Sequence, residues 1–137
     1  MICLDTNAII AALNSRTSAV RARIDAALAA NAALALSPIV LFELRYGAAK
    51  SANRERNSRR IDDFLAGQIA VLPFEPEDAR EAGDIRAALD RAGTPIGPYD
   101  VLIAAQARRR NATLVTANHR EFGRVPGLRL QDWAEPI

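Results

Sequence analysis

Short apolar runs recur along the chain at residues 2–4, 33–36, 69–72 and 113–116, and between them lie longer stretches with apolar residues every three or four positions. Short runs bounded by turn formers read as buried strands, and the three-to-four periodicity reads as helix. The pattern predicts a short helix over 8–13 and a longer one over 18–30 with Ser18 as its N-cap. Pro38 follows Ser37 and suits the first turn of a helix running through Val40, Leu41 and Leu44 to Lys50. A polar, arginine-rich helix is expected over 54–66. Another starts at Pro76, carries an apolar stripe through Ala79, Ala82, Ile85 and Leu89, and stops at Gly93. The stretch GTPIGP is rich in helix breakers and reads as a loop. After it, residues 99–110 form a helix so apolar that it must be buried, and 128–130 reads as a fifth strand. Apolar strands separated by helices predict an α/β fold with a parallel sheet of four to five strands, covered by helices on both faces.

Composition narrows the class without changing the fold. The chain has 137 residues, half of them apolar, which suits a single domain over 1–137. No apolar stretch approaches the ~18 residues of a membrane helix, and the start lacks the basic region and long apolar run of a secretion signal, so a cytoplasmic protein is expected. The lone Cys3, inside the first apolar run, reads as a small core residue. Trp133 reads as a packing anchor and His119 as a surface-loop residue. The formal charge is only +2, but all of the eighteen basic residues except Lys50 are arginines. Arg108, Arg109 and Arg110 end a helix, where positive charge is favourable without any ligand. Arg54, Arg56, Arg59 and Arg60 are the better candidates for phosphate contact, since the planar guanidinium suits it.

Three carboxylates stand where the pattern predicts a site. In open α/β sheets the functional crevice lies beyond the carboxyl ends of the strands. Asp5 ends the first strand, Glu43 sits among apolar neighbours in the helix after the second, and Asp100 opens the buried helix after GTPIGP. Each has a structural reading of its own: Asp5 could cap the first helix, Glu43 could pair with Arg45, and Asp100 could serve its own helix dipole. Together they point elsewhere. Two carboxylates about 4 Å apart repel by roughly 4 kcal/mol at an effective dielectric near 20, so three meeting in one crevice need a proton or a cation between them. A hard divalent ion, Mg²⁺ or Mn²⁺, is the natural counter-charge. Thr6 and Asn7 beside Asp5, and Thr116 and Asn118 after the fourth strand, would add neutral oxygen donors, although Thr and Asn after a strand also serve turns.

Read in order, LDTNAII, SPIVLFELRYGAAKS, AGTPIGPYDVLIAAQA and LVTANHREFGRVPGLRLQDW span essentially the whole chain, which resembles the PIN-domain ribonucleases and, among them, the VapC-type toxins of bacterial toxin–antitoxin pairs. The resemblance implies a three-layer sandwich around a parallel sheet, and metal-dependent endonucleolytic cleavage of RNA. It implies that Asp5, Glu43 and Asp100 are catalytic and hold the metal, with Thr6, Asn7, Thr116 and Asn118 in support. Asn118 falls where many relatives carry a fourth acid. A cognate antitoxin and a homodimer are implied as partners, and the helices over 18–30 and 38–49 are apolar enough to form a groove for a partner helix. The departure at Asn118 leaves a second reading open: a catalytically degenerate PIN-like module that only binds RNA or protein. Two unrelated chemistries also gather acids beside a parallel sheet. An aspartyl phosphatase needs a second acid two residues after the first, where this chain has Asn7. A receiver-like regulatory module needs a lysine at a late strand end, and none follows Lys50.

Overall fold

The computed structural model describes residues 1–134; the last three positions of the domain expected over 1–137 lie outside the described residues. In chain order the elements are β1 (Ile2–Leu4), α1 (Thr6–Asn14), α2 (Ala19–Ala29), β2 (Leu34–Leu36), α3 (Pro38–Lys50), α4 (Arg54–Leu65), β3 (Ile69–Val71), α5 (Pro76–Arg91), α6 (Pro98–Arg109), β4 (Thr113–Val115), α7 (His119–Phe122) and β5 (Arg129–Gln131). The five strands pair in parallel in the order β3-β2-β1-β4-β5. The expected α/β sandwich is therefore present, with the fifth strand included. Among the described residues, no helix is long and apolar enough to cross a membrane.

This strand order creates the crevice. The chain leaves β1 for β2 and β3 on one side, then returns to place β4 on the other side of β1. The connections from β1 and β4 thus diverge at their carboxyl ends, which is where α/β sheets open a cleft. Beneath it, Leu4, Ile9, Leu36, Val40, Ala104, Leu114 and Phe122 pack into one core. Cys3 and Trp133 are buried in it, the Trp133 indole N–H donating to Gln131 Oε1 at 2.8 Å. Burial pushes the Cys3 thiol up to about 11, which leaves it inert.

Helix ends follow local chemistry. Ser18 and Ser37 cap α2 and α3 by accepting from the backbone N–H of Arg21 and Ile39 at 3.1 and 3.0 Å. Three helices close through a left-handed residue after the C-cap: Asn31, Gly93 and Asn111, with φ of 59°, 72° and 52°. Beyond each, the N–H of Ala32, Thr94 or Ala112 returns to the carbonyl of Ala27, Leu89 or Ala107. A side chain at Gly93 would be strained there, so Gly93→Ala is expected to lower the unfolding free energy by about 1 kcal/mol, read by urea denaturation.

Three expectations need correction. The first helix begins at Thr6 rather than at residue 8, which puts Thr6 and Asn7 on the helix instead of in a loop. The stretch after β4, read as a turn, forms α7, because Asn118 Oδ1 accepts from the Glu121 N–H at 3.3 Å and nucleates one helical turn; the exposed His119 is its first residue. The terminal arginines of α6 do not rest on the helix dipole alone. Arg108 Nε donates to Glu81 Oε1 at 2.8 Å, Arg109 Nε to Asp78 Oδ1 at 2.6 Å, and Arg110 Nη1 to the same oxygen at 2.8 Å. All three clamp α6 onto α5.

Candidate active site

Asp5 stands in the N-cap position of α1 but does not cap it with its side chain. The carboxylate turns instead into the crevice, where Oδ2 accepts from Thr116 Oγ1 at 2.8 Å and from Asn7 Nδ2 at 3.2 Å. Asn7 also ties the two strand ends together, since its Oδ1 accepts from the Ala117 N–H at 3.2 Å. Thr116 completes the junction by accepting from the Asn118 N–H at 3.0 Å. Thus Asp5 is held rigidly by neutral donors, and only 5% of its surface is exposed.

Glu43 reaches the same place from α3. Its Oε1 accepts from Thr6 Oγ1 at 2.9 Å, which fastens it to the first turn of α1. Arg45 is not its partner; that guanidinium bonds Asp62 Oδ1 at 2.6 Å on α4. Asp100 enters from the first turn of α6, two residues after Pro98 at its start, with Gly97 as N-cap. A methyl on Gly97 would lie 3.4 Å from Asp100 Oδ2, in van der Waals contact with this carboxylate.

A fourth acid is present that sequence reasoning missed. Glu121 on α7 brings its carboxyl beside that of Asp100, so that a proton on one can be shared with the other. Asn118, placed where a fourth acid was expected, holds it: Asn118 Nδ2 donates to Glu121 Oε2 at 3.3 Å while its Oδ1 caps the helix. The signal was an acid three residues after Asn118, one helical turn on, but a turn without a helix gave no reason to count in helical steps.

The electrostatics record the crowding. Burial, the hydrogen bond with Glu121, and the charges of Asp5, Glu121 and Glu43 together push the Asp100 carboxyl up to about 7. Burial likewise raises Asp5, helped by the charge of Glu43 and opposed by hydrogen bonds from the Thr116 hydroxyl and the Thr6 backbone. Among the described residues, none of the four acids is ion-paired with a basic side chain. Nor are any three acid, histidine or cysteine side chains gathered closely enough to enclose an ion by themselves. The donor set still fits a hard divalent cation, because Mg²⁺ typically takes one or two carboxylates and keeps several waters.

The four arginines proposed for phosphate contact lie on α4. Arg54, Arg56 and Arg59 are exposed. Arg60 is turned inward, donating to the Leu13 carbonyl at the end of α1 and to Asn57 Oδ1, and it lines a cleft of about 240 Å³ with Glu43, Ile10, Leu44 and Ile61.

The chain matches the PIN domain model over residues 2–128. It is 41% identical over 130 residues, 95% of this chain and 96% of the relative, to a protein of Salmonella typhimurium named tRNA(fMet)-specific endonuclease VapC. Among solved structures, VapBC2 of Rickettsia felis, bound to a DNA fragment from its promoter, superposes with a TM-score of 0.89 at 38% identity, covering 97% of this chain and 99% of that one. VapBC-1 of nontypeable Haemophilus influenzae superposes with a TM-score of 0.86 at 34% identity, covering 98% of this chain and all of that one. Match length, identity and architecture agree: the chain belongs to the PIN-domain family, in its VapC branch.

Proposed function

We propose that the chain is an endoribonuclease that cuts RNA with the help of Mg²⁺ or Mn²⁺, acting in the cytoplasm as the toxin of a toxin–antitoxin pair. The observation that carries the chemistry is the convergence of Asp5, Glu43, Asp100 and Glu121 from four separate stretches of sequence without a basic partner. A fold tolerates such repulsion where a cation joins the group. The names of the VapC relatives and the VapBC complexes support RNA as substrate and an antitoxin as partner. The homodimer belongs to the same reading.

In this reading Asp5 and Asp100 hold the ion, and Glu43 and Glu121 bind it directly or through water. When bound, the ion supplies positive charge at the scissile phosphate and acidifies water beside it. Thr116 and Asn7 fix the Asp5 carboxylate, Thr6 fixes Glu43, and Asn118 fixes Glu121, so the ligands do not reorganise during the reaction. Arg54, Arg56 and Arg59 would contact phosphates away from the cut, which makes binding weaken as salt rises. The degenerate module is disfavoured, because Glu121 supplies near Asp100 the acid that Asn118 lacks.

The test is metal removal with tRNA(fMet) as substrate. Cleavage should stop in excess EDTA and return when Mg²⁺ or Mn²⁺ is restored above the chelator. Full activity in EDTA would overturn the metal-dependent mechanism, and binding without cleavage under every metal condition would favour the degenerate module.

A further inference from the structure

The segment after α7, GRVPG at residues 123–127, takes no part in the mechanism above, yet hydrogen bonds tie it to α6 at two points. The half-buried Arg124 donates from Nη1 to the Pro95 carbonyl at 2.7 Å, two residues before the Gly97 N-cap of α6. Arg108, near the other end of α6, donates from Nη1 to the Pro126 carbonyl at 3.1 Å. Between the two ties Val125 is buried. One guanidinium therefore runs from the segment to the loop that starts α6, and the other runs from α6 back to the segment.

α7 needs such ties. It has four residues, and a single helical turn is not stable on its own. Asn118 caps its start and the fully buried Phe122 anchors it in the core. Its Glu121, however, stands beside Asp100, where the two carboxylates repel once both are ionised. The far end of the turn closes tightly. The Gly123 N–H donates to the His119 carbonyl at 2.9 Å, and a Cβ on Gly123 would lie 2.5 Å from that oxygen, closer than a side chain can sit. Glycine lets the chain pass there, and the next residue is the arginine that reaches Pro95. Asp100 lies five residues after Pro95, and Glu121 three before Arg124. The same two segments thus meet twice, once through acids that repel and once through a bond that holds them together.

We propose that Arg124 is a positioning residue for the fourth acid: its bond to the Pro95 carbonyl braces α7 against the start of α6 and keeps the Glu121 carboxylate beside Asp100 for the ion. This rests on the metal-dependent reading above and gives the GRVPG segment a part in it. Arg124 acts through Glu121 and not on the ion itself. Its own charge opposes a cation, so loss of that charge alone would tighten metal binding, whereas loss of the brace weakens it.

The experiment titrates Mn²⁺ onto the RNA-free chain and follows the signal of the unbound ion by electron paramagnetic resonance. Arg124→Ala is expected to weaken Mn²⁺ binding about three- to tenfold, the range of one hydrogen bond. Arg124→Lys, which can still donate to the carbonyl, should recover most of that affinity. Glu121→Gln weakens binding by itself, and adding Arg124→Ala to it should weaken binding no further, because the brace acts through the missing carboxylate. Gly123→Ala, which pushes the chain off the His119 carbonyl, should reproduce Arg124→Ala in both backgrounds. Mn²⁺ affinity that is unchanged or tighter in Arg124→Ala would overturn the brace, as would an equal loss with and without the Glu121 carboxylate. If the parent binds no Mn²⁺, the metal-dependent reading fails on its own, and amide hydrogen exchange of the metal-free chain still decides the brace. Faster exchange across α7 in Arg124→Ala would sustain it, and exchange at the parent's rate would overturn it.

Discussion

Asp5→Asn is expected to cut the rate of RNA cleavage by about three orders of magnitude while leaving the chain folded. The amide keeps the shape of the carboxylate, and its oxygen can still accept from Thr116 Oγ1 and Asn7 Nδ2, so the junction of β1 with β4 survives. What disappears is one negative charge facing the ion. Charge stabilisation by such an ion is worth several kcal/mol in the transition state, and each 1.36 kcal/mol is about tenfold in rate. Single-turnover cleavage under saturating Mg²⁺ measures the loss; a rate within tenfold of the parent would remove Asp5 from the mechanism.

The same crowding makes metal-free stability depend on pH with a defined sign. The Asp100 carboxyl is raised from its ordinary 3.8 to about 7, so the folded chain still binds its proton where the unfolded chain has released it. Stability contributed by that bound proton is complete below about 4 and is lost as the pH rises through about 7. Thermal melts in EDTA between pH 4 and 8 should therefore show stability falling with pH. Mg²⁺ should flatten the slope, and Asp5→Asn should weaken it, since the Asp5 charge helps to raise Asp100. A metal-free chain more stable at pH 8 than at pH 5 would contradict the crowding.

Asp78→Ala is expected to destabilise the fold by about 3 kcal/mol. Asp78 has no exposed surface and carries two tasks at once. Its Oδ1 accepts from Arg109 and Arg110, and its Oδ2 accepts from the Glu75 backbone N–H at 2.9 Å in a capping box. Burial alone would raise this carboxyl, but the hydrogen bonds from Arg110, Arg109 and the Glu75 backbone hold it down to about 2. Removing it leaves the two guanidiniums with only the half-exposed Glu75 Oε1, at 3.6 and 3.5 Å, as an acidic partner, and an uncapped helix start. Their partial exposure to water, 28% and 14% of the side chains, keeps the cost near the lower end of the 3–5 kcal/mol typical of a broken buried pair. Because the folded value lies below the unfolded one, this stability is complete above about 4 and is lost as the pH falls through about 2, amounting to about 2 kcal/mol. Denaturant titration at pH 7 and at pH 2 separates the two contributions.

Much of the site was legible because its members violate local rules. An acid amid Leu41, Phe42 and Leu44, or directly before the buried run from Val101, has little reason to be there unless it faces something charged. Such anomalies survive without coordinates, since they compare a residue with its neighbours in the chain. The order of elements was legible for the same reason: hydrophobic periodicity and the punctuation of Ser37, Pro38 and Gly93 are local. Glu121 was not. Its role depends on one turn of helix that Asn118 nucleates, and a single capping hydrogen bond decides between that turn and a loop without leaving a periodic trace.

Taken alone, the order of residues determined an α/β sheet, the three acids at strand ends and helix starts, and the family to which the chain belongs. Which acids face one another, that Glu121 is the fourth, that Arg109 and Arg110 are spent on Asp78 while Arg60 turns inward, and that Tyr99 meets Phe42, were decided only when the chain crossed from β3 back to β4. Local pattern is written in sums over neighbours a few positions apart, whereas these contacts join residues tens of positions apart whose distance is set by strand order, and no local sum contains it.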